Sequence, residues 1–363
     1  MGSYIGIDGK AREIKGAYVG VDSKARKVSK GYVGVAGKAR PFSIGEKKLE
    51  YYGAIEGLQQ GRTQLAGCSV GNYGLFGGGY PNSSAVDAYN TALVRTTATA
   101  LQRRRFVLAG CSVGNYGLFG GGYAPSAADV VTTVDAYNTA LVRTSAPDLQ
   151  ERRRVLAGCS VGTYGLFGGG YTFSDESSTV EVDVVDAYNT SLVRATATSL
   201  QHGRGYLAGC SVGTYGLFGG GYSSYNNVDA YNTSLVRTSA TDLQKGRGQL
   251  AGCSVGNYGL FGGGYPSSSV VDAYNTSLVR ATATSLQQGR RELAGCSVGT
   301  YGLFGGGYTF YDNVDAYNTS LVRTSATGLQ KGRGQLAGCS VGNYGLFGGG
   351  TSNSSAVDAY VVK

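Results

Sequence analysis

Three kinds of residue in this chain have the right types and spacing for chemistry. Aspartates recur in the context Val-Asp-Ala-Tyr at Asp87, Asp135, Asp186, Asp229, Asp272, Asp315 and Asp358. Cysteines recur in Gly-Cys-Ser-Val at Cys68, Cys111, Cys159, Cys210, Cys253, Cys296 and Cys339. Arginines cluster at Arg103, Arg104 and Arg105, at Arg152, Arg153 and Arg154, and at Arg290 and Arg291. The same variable segments also carry Tyr171, Phe173, Tyr222, Tyr225, Tyr308, Phe310 and Tyr311. Carboxylates could act as general acids and bases, and thiols as nucleophiles or metal ligands. Each needs a partner that occurs only once, and here the Asp and Cys are copied seven times. The single histidine, His202, stands alone, so no base–nucleophile pair and no Cys/His metal set can be assembled. We therefore assign no catalytic residue, no metal and no cofactor. The repeated aspartates read as structural. With a three-residue link after the tyrosine, Asp272 would face Arg280 across a strand pair, and Arg95, Arg143, Arg194, Arg237 and Arg323 would do the same in other copies. The cysteines read as small buried apolar residues with free thiols. Arginines beside aromatic rings are different, because they make a surface suited to stacking and to pairing with phosphates or carboxylates.

The elements that position these residues follow from an internal repeat. The string GCSVG-[NT]-YGLFGGG occurs seven times, with cysteine spacings of 43, 48, 51, 43, 43 and 43 residues. That period suits one four-stranded blade of a β-propeller, with insertions in two copies. Within a copy the predicted strands are Leu250–Val255, Tyr258–Phe261, Val271–Tyr274 and Leu278 onward, labelled A to D. Gly256-Asn257 predicts a type II′ hairpin turn between A and B. No stretch has helical spacing, and the 62 glycines lack a three-residue period.

The seventh copy runs through Val357–Tyr360 and stops at Lys363 without a strand D. Leu49–Ala54 resembles Leu321–Ala326 with one extra residue, so the N-terminal strand is expected to supply the outer strand of the last blade. The predicted fold is all-β: a seven-bladed propeller over residues 46–363 behind a basic arm over residues 1–45.

Residues 1–48 hold 11 Lys/Arg and 4 Asp/Glu, a net of +7 out of +9 for the chain. A basic arm suits an anionic partner, and a soluble segment with lysines on its wet face is the plainer alternative. The arm has its own 14-residue period, marked by Tyr4, Tyr18 and Tyr32. Each unit also repeats a basic pair: Lys10 with Arg12, Lys24 with Arg26, and Lys38 with Arg40. Each is predicted to be a minimal hairpin, turning at Asp8-Gly9, Asp22-Ser23 and Ala36-Gly37. We read the arm as a docking device, with these tyrosines and basic pairs as its attachment residues. The first residues lack a continuous apolar stretch, so no secretory signal is expected, and no segment reaches the length of a membrane span.

Comparing the seven copies locates a binding face. In a propeller the A–B and C–D turns lie on one face, and the B–C and D–A connections on the other. The first set is nearly invariant here, while the second set varies and holds all the arginine clusters and the aromatic residues named above. Drift in unconstrained loops is the alternative explanation.

The Gly-Gly after strand B and the strand-C tyrosine (Tyr89, Tyr137, Tyr188, Tyr231, Tyr274, Tyr317, Tyr360) resemble Kelch repeats over about residues 49–363. The usual strand-D tryptophan of that family is missing, because the chain has no tryptophan. The pattern VDAYN-T-[AS]-LVR with SVGNYGLFGGG, behind YVGVxGKAR-type modules, looks most like Kelch-like proteins of bacteriophages and prophages of Gram-positive hosts. That resemblance implies a non-enzymatic virion component present in multiple copies. Its arm would attach it to other virion proteins, and its propeller would face a host surface polysaccharide or receptor. An intracellular Kelch-type adaptor and a polysaccharide-acting enzyme are the competing readings.

Overall fold

The computed structural model describes the backbone of six arm strands within residues 4–43, and residues 48–363 apart from 126–128 and 174–177. The chain divides into two compact units, residues 1–48 with Lys363, and Leu49–Val362.

The arm unit contains three separate two-stranded hairpins. Tyr4–Ile7 pairs with Lys10–Glu13, Ala17–Val21 with Lys24–Val28, and Lys30–Val35 with Lys38–Ser43. The expected attachment residues stand on these strands. Tyr4, Tyr18 and Tyr32 lie on the first strand of each hairpin. Lys10 and Arg12, Lys24 and Arg26, and Lys38 and Arg40 lie on the second. The side chains of Tyr4, Lys10, Arg12, Tyr18, Lys24, Arg26, Tyr32, Lys38 and Arg40 lie outside the described residues, as do the turns that join the strands.

The second unit is the seven-bladed propeller. Each blade is a four-stranded antiparallel sheet in the order A-B-C-D. In blade 5 the strands are Ala251–Val255, Tyr258–Gly262, Val271–Asn275 and Arg280–Thr282. Strand A is innermost, and Leu, Ala and Gly of all seven copies line the central channel. The A–B hairpin has a two-residue link in which Gly256 takes φ +53 and Asn257 stays out of the left-handed region, as a II′ turn requires. Strand A of one blade lies hard against the next. A Cβ on Gly252 would sit 2.2 Å from the Gly209 carbonyl oxygen, so only glycine fits.

The core lies between blades rather than within them. In one cluster Cys253, Val255, Leu260, Val271 and Ala273 of blade 5 close around Phe304 and Tyr317 of blade 6, whose rings meet edge to face at 5.9 Å. All seven cysteines are buried and unpaired. Each packs against a strand-B glycine of the next blade, as Cys210 Sγ does at Gly259.

Closure occurs where the chain ends pointed. Leu49–Ile55 pairs with Val357–Val362 as the outer strand of blade 7. The extra residue is absorbed by a bulge, because Ala359 pairs with Gly53 and Tyr360 with Tyr51, which leaves Tyr52 without a partner in the register. A closed hydrogen-bond circuit ties the blades together. The hydroxyls of Ser69, Ser112, Ser160, Ser211, Ser254, Ser297 and Ser340 each donate to the backbone carbonyl of the equivalent serine in the preceding blade, at 2.6 to 2.8 Å.

The C–D register differs from the expectation. Arg280 pairs with Tyr274 rather than with Asp272, and Asp272 pairs with Thr282. Strand C runs on through Asn275, whose Oδ1 accepts from the backbone N–H groups of Ser277 and Val279. Leu278 is held at φ +60 in a four-residue link. This Asx-type turn gives the repeated Asn-Thr-[Ala/Ser]-Leu a structural role. Among the described residues no helix is long and apolar enough to cross a membrane.

Candidate ligand-binding face

Each repeated aspartate is fully buried and held by a second arginine that the sequence reading did not single out as its partner. Arg247 Nη2 lies 2.9 Å from Asp272 Oδ2, with both side chains at 0% exposure. The same pairing joins Arg62 to Asp87, Arg105 to Asp135, Arg153 to Asp186, Arg204 to Asp229, Arg290 to Asp315 and Arg333 to Asp358. The strand-D arginine reaches the other carboxylate oxygen from a more exposed position, as Arg280 does at 3.3 Å. Blade 7 lacks that arginine, and the Tyr51 hydroxyl donates to Asp358 Oδ1 instead, at 2.7 Å.

This arrangement corrects three of the predicted surface residues. Arg105, Arg153 and Arg290 are not available to a ligand, because they are buried structural cations. Desolvation pulls the pKa of Arg105 and Arg290 down, and the facing aspartate pulls it back up. The sequence carried a signal for them: an arginine stands six residues before every cysteine, from Arg62 before Cys68 to Arg333 before Cys339.

The remaining propeller candidates do converge on the face of the B–C and D–A connections. The residue after each Gly-Gly-Gly run is a tyrosine in six blades, and it meets the segment leading into strand A. Backbone bridges join Thr63 to Tyr80, Phe106 to Tyr123, Arg154 to Tyr171 and Gly248 to Tyr265. Side chains then form an arc around the channel mouth. Phe106 lies edge-on between Tyr80 and Tyr123, at 5.4 Å from each. The Arg154 guanidinium sits 5.9 Å from Tyr123 and 5.1 Å from Phe173. Tyr171, Tyr206, Tyr222 and Tyr265 follow at centroid spacings of 6.0, 5.8 and 6.0 Å. Arg291 is sandwiched between Tyr265 and Tyr308, at 5.0 and 4.3 Å. The arc breaks at blade 7, where Thr351 stands in the tyrosine position and accepts from the Gly334 amide.

Around this arc the other candidates differ in kind. Arg103 and Arg104 are exposed. Arg152 is ion-paired to Asp129. Tyr225 stacks on His202 and donates to Glu181 at 2.9 Å, while Tyr171 donates to the other Glu181 oxygen at 3.3 Å. Phe310 is 61% exposed, and Tyr311 is partly buried. The insertions of blades 2 and 3, expected as loops, form small hairpins instead: Tyr123–Ala124 with Asp129–Val130, and Tyr171–Phe173 with Thr179–Glu181. Asp175 and Glu176 lie outside the described residues. Tyr80, Phe106, Tyr123, Tyr206 and Tyr265 were missed as site residues. Their signal was positional, because most of them follow the glycine run at one fixed place in the repeat.

No protein-family model and no curated protein matches this chain. Solved structures do match. The structure of YjhT covers 75% of this chain and 99% of its own, with a TM-score of 0.58 and 11% sequence identity. At that identity the likeness shows the fold: a seven-bladed propeller. Among the described residues no group of three His, Cys, Asp or Glu could hold a metal ion.

Proposed function

We propose that this protein is a non-enzymatic, Kelch-like binding component of a bacteriophage particle. Its arm attaches it to other virion proteins, and the arc-bearing face of its propeller engages a glycan of the host surface. The observation that carries this reading is the arc from Tyr80 to Tyr308. It gathers the exposed rings of Tyr80, Tyr206, Tyr222, Tyr265 and Tyr308 with the half-buried Arg154 and Arg291 on the face where the seven copies diverge, whereas the opposite face repeats almost unchanged. A propeller fold suits a binding role, because a rigid ring presents loops from every blade to one partner. The arm supports the first half of the proposal through its net charge of +7 and its triple module.

The test uses the full chain. Binding to purified Gram-positive envelope polysaccharide is compared with that of the double variant Tyr222→Ala with Tyr265→Ala, and incorporation into the parent particle is compared with that of a chain lacking residues 1–45. Loss in the respective variants is expected. Polysaccharide binding indifferent to the arc, or captured protein partners in place of glycan, would overturn the glycan assignment.

A further inference from the structure

The channel mouth on this face holds a second site inside the arc. Seven equivalent residues rim it: Gln64, Val107, Val155, Tyr206, Gln249, Glu292 and Gln335. Each donates its backbone N–H to the carbonyl of the rim residue in the preceding blade, at 2.8 to 3.0 Å, which closes a circle through Gln64 to Gln335. All seven have left-handed φ, between +48 and +57. For Val107 and Val155 this is an uncommon, strained conformation. Strain that the surroundings hold in place clusters at ligand sites. Because the rim backbone satisfies itself, the side chains alone set the chemistry of the mouth.

Those side chains divide into two halves. Val107, Val155 and Tyr206 form an apolar side, while Gln249, Glu292, Gln335 and Gln64 form a polar side. A ring of seven leucines, from Leu65 to Leu336, lies beneath, and the cavity holds about 200 Å³. Glu292 Oε1 accepts from Gln249 Nε2 at 3.1 Å. Oε2 is buried, whereas Glu292 as a whole is half-buried and lines the polar wall of the cavity. Burial raises the Glu292 pKa, offset in part by the nearby Arg291 and Gln335 side chains.

We infer that this bowl takes one neutral pyranose unit, with its apolar ring face on Val107, Val155 and Tyr206 and its hydroxyl edge on the polar side formed by Gln249, Glu292 and Gln335. The inference rests on the glycan reading above and narrows it. The cavity is smaller than the ~300–1,000 Å³ that houses drug-sized ligands, which suits a single ring. An acidic sugar would meet Glu292, and a cationic one would meet Arg291 beside it. A hexose matches the division of the rim, because it has both an apolar face and a hydroxyl edge.

Saturation-transfer NMR on the full chain tests this with methyl glucoside, methyl galactoside and N-acetylglucosamine. We expect millimolar binding of at least one, with transfer to ring C–H protons. Val155→Trp, which fills the bowl, should abolish it, and Glu292→Leu should weaken it at least tenfold. If Val155→Trp lowers the thermal midpoint, Glu292→Leu carries the test alone. The double variant Tyr222→Ala with Tyr265→Ala should reduce polysaccharide binding and leave the single sugar bound. Polysaccharide binding without any monosaccharide signal, or a signal unchanged in both bowl variants, overturns the bowl and spares the outer face. No binding of either probe overturns both.

Discussion

Arg62 Nη2 lies 2.6 Å from Asp87 Oδ2, and both side chains are wholly buried. Arg62 belongs to the segment leading into blade 1, and Asp87 to its third strand. The pair therefore fastens the D–A connection to the sheet that it enters. The carboxylate is further satisfied by the Gln59 amide at 3.0 Å and by Arg95 at 3.2 Å. Seven such centres recur around the ring, one in each blade.

The two arginines on each aspartate should differ sharply in their effect on stability. In blade 5, Arg247→Met leaves Asp272 buried without its main countercharge and should cost about 3–5 kcal/mol. Arg280→Ala removes a side chain that is 26% exposed, and the loss of such an outer ion pair should cost no more than about 1 kcal/mol. Denaturant unfolding of the two variants checks this. Equal losses would return the structural role to the strand-D arginine.

Alkali should unfold the ring cooperatively. Burial raises the pKa of all seven cysteines above the ordinary 9.0, and of the seven strand-C tyrosines above 10.0. The folded state keeps these protons while the unfolded chain releases them. Their stabilising contribution is therefore complete below the unfolded values and is lost as pH rises past them. Each group adds a slope of about 1.4 kcal/mol per pH unit. The thermal midpoint should be little affected by these groups below about pH 8.5 and should fall steeply above about pH 9–10. Thiol titration should count seven cysteines in denaturant and almost none in the native protein.

Ring closure should depend on one phenol. Tyr51 stands where the other blades use arginine, and its hydroxyl is the outer partner of Asp358. Tyr51→Phe should cost about 1.5–3 kcal/mol, the range for a hydrogen bond to a charged group. Removing Leu49–Ile55 altogether should do far more damage, since it strips the outer edge of blade 7. Urea unfolding of both variants measures the difference.

Blade number, strand order and closure were legible because the sequence copies one 43-residue unit and the copy is incomplete at its end. The C–D register was not legible. Leu278 is an apolar residue in left-handed backbone, in a turn ordered by the Asn275 side chain, and its type suggests a strand instead. The buried arginines were also hidden, because Arg103, Arg104 and Arg105 read as one basic patch. The fold sends the first two to solvent and the third to Asp135. The aromatic arc was seen only in part. Tyr171, Tyr222 and Tyr308 stood out beside further loop aromatics, whereas Tyr80, Tyr123 and Tyr265 occupy the same position of the repeat with none beside them.

The same division within the arginine triplets separates binding from folding. The double variant Arg103→Ala with Arg104→Ala changes two exposed side chains, so stability should shift by less than about 0.5 kcal/mol. Any contribution they make to an anionic glycan should appear at low salt and fade as the Debye length shortens. Arg105→Ala should instead unfold blade 2, because it strands Asp135. The double variant Tyr222→Ala with Tyr265→Ala probes the arc itself. Those rings are 44% and 43% exposed and stack at 6.0 Å, so truncating them leaves the buried core untouched. If they anchor the glycan, affinity should fall by at least about 2 kcal/mol, or roughly thirtyfold, with little dependence on salt. Binding isotherms at two salt concentrations read both effects together. A loss confined to the arginine pair would make the face an electrostatic surface without stacking. A loss confined to the tyrosines would assign recognition to the rings.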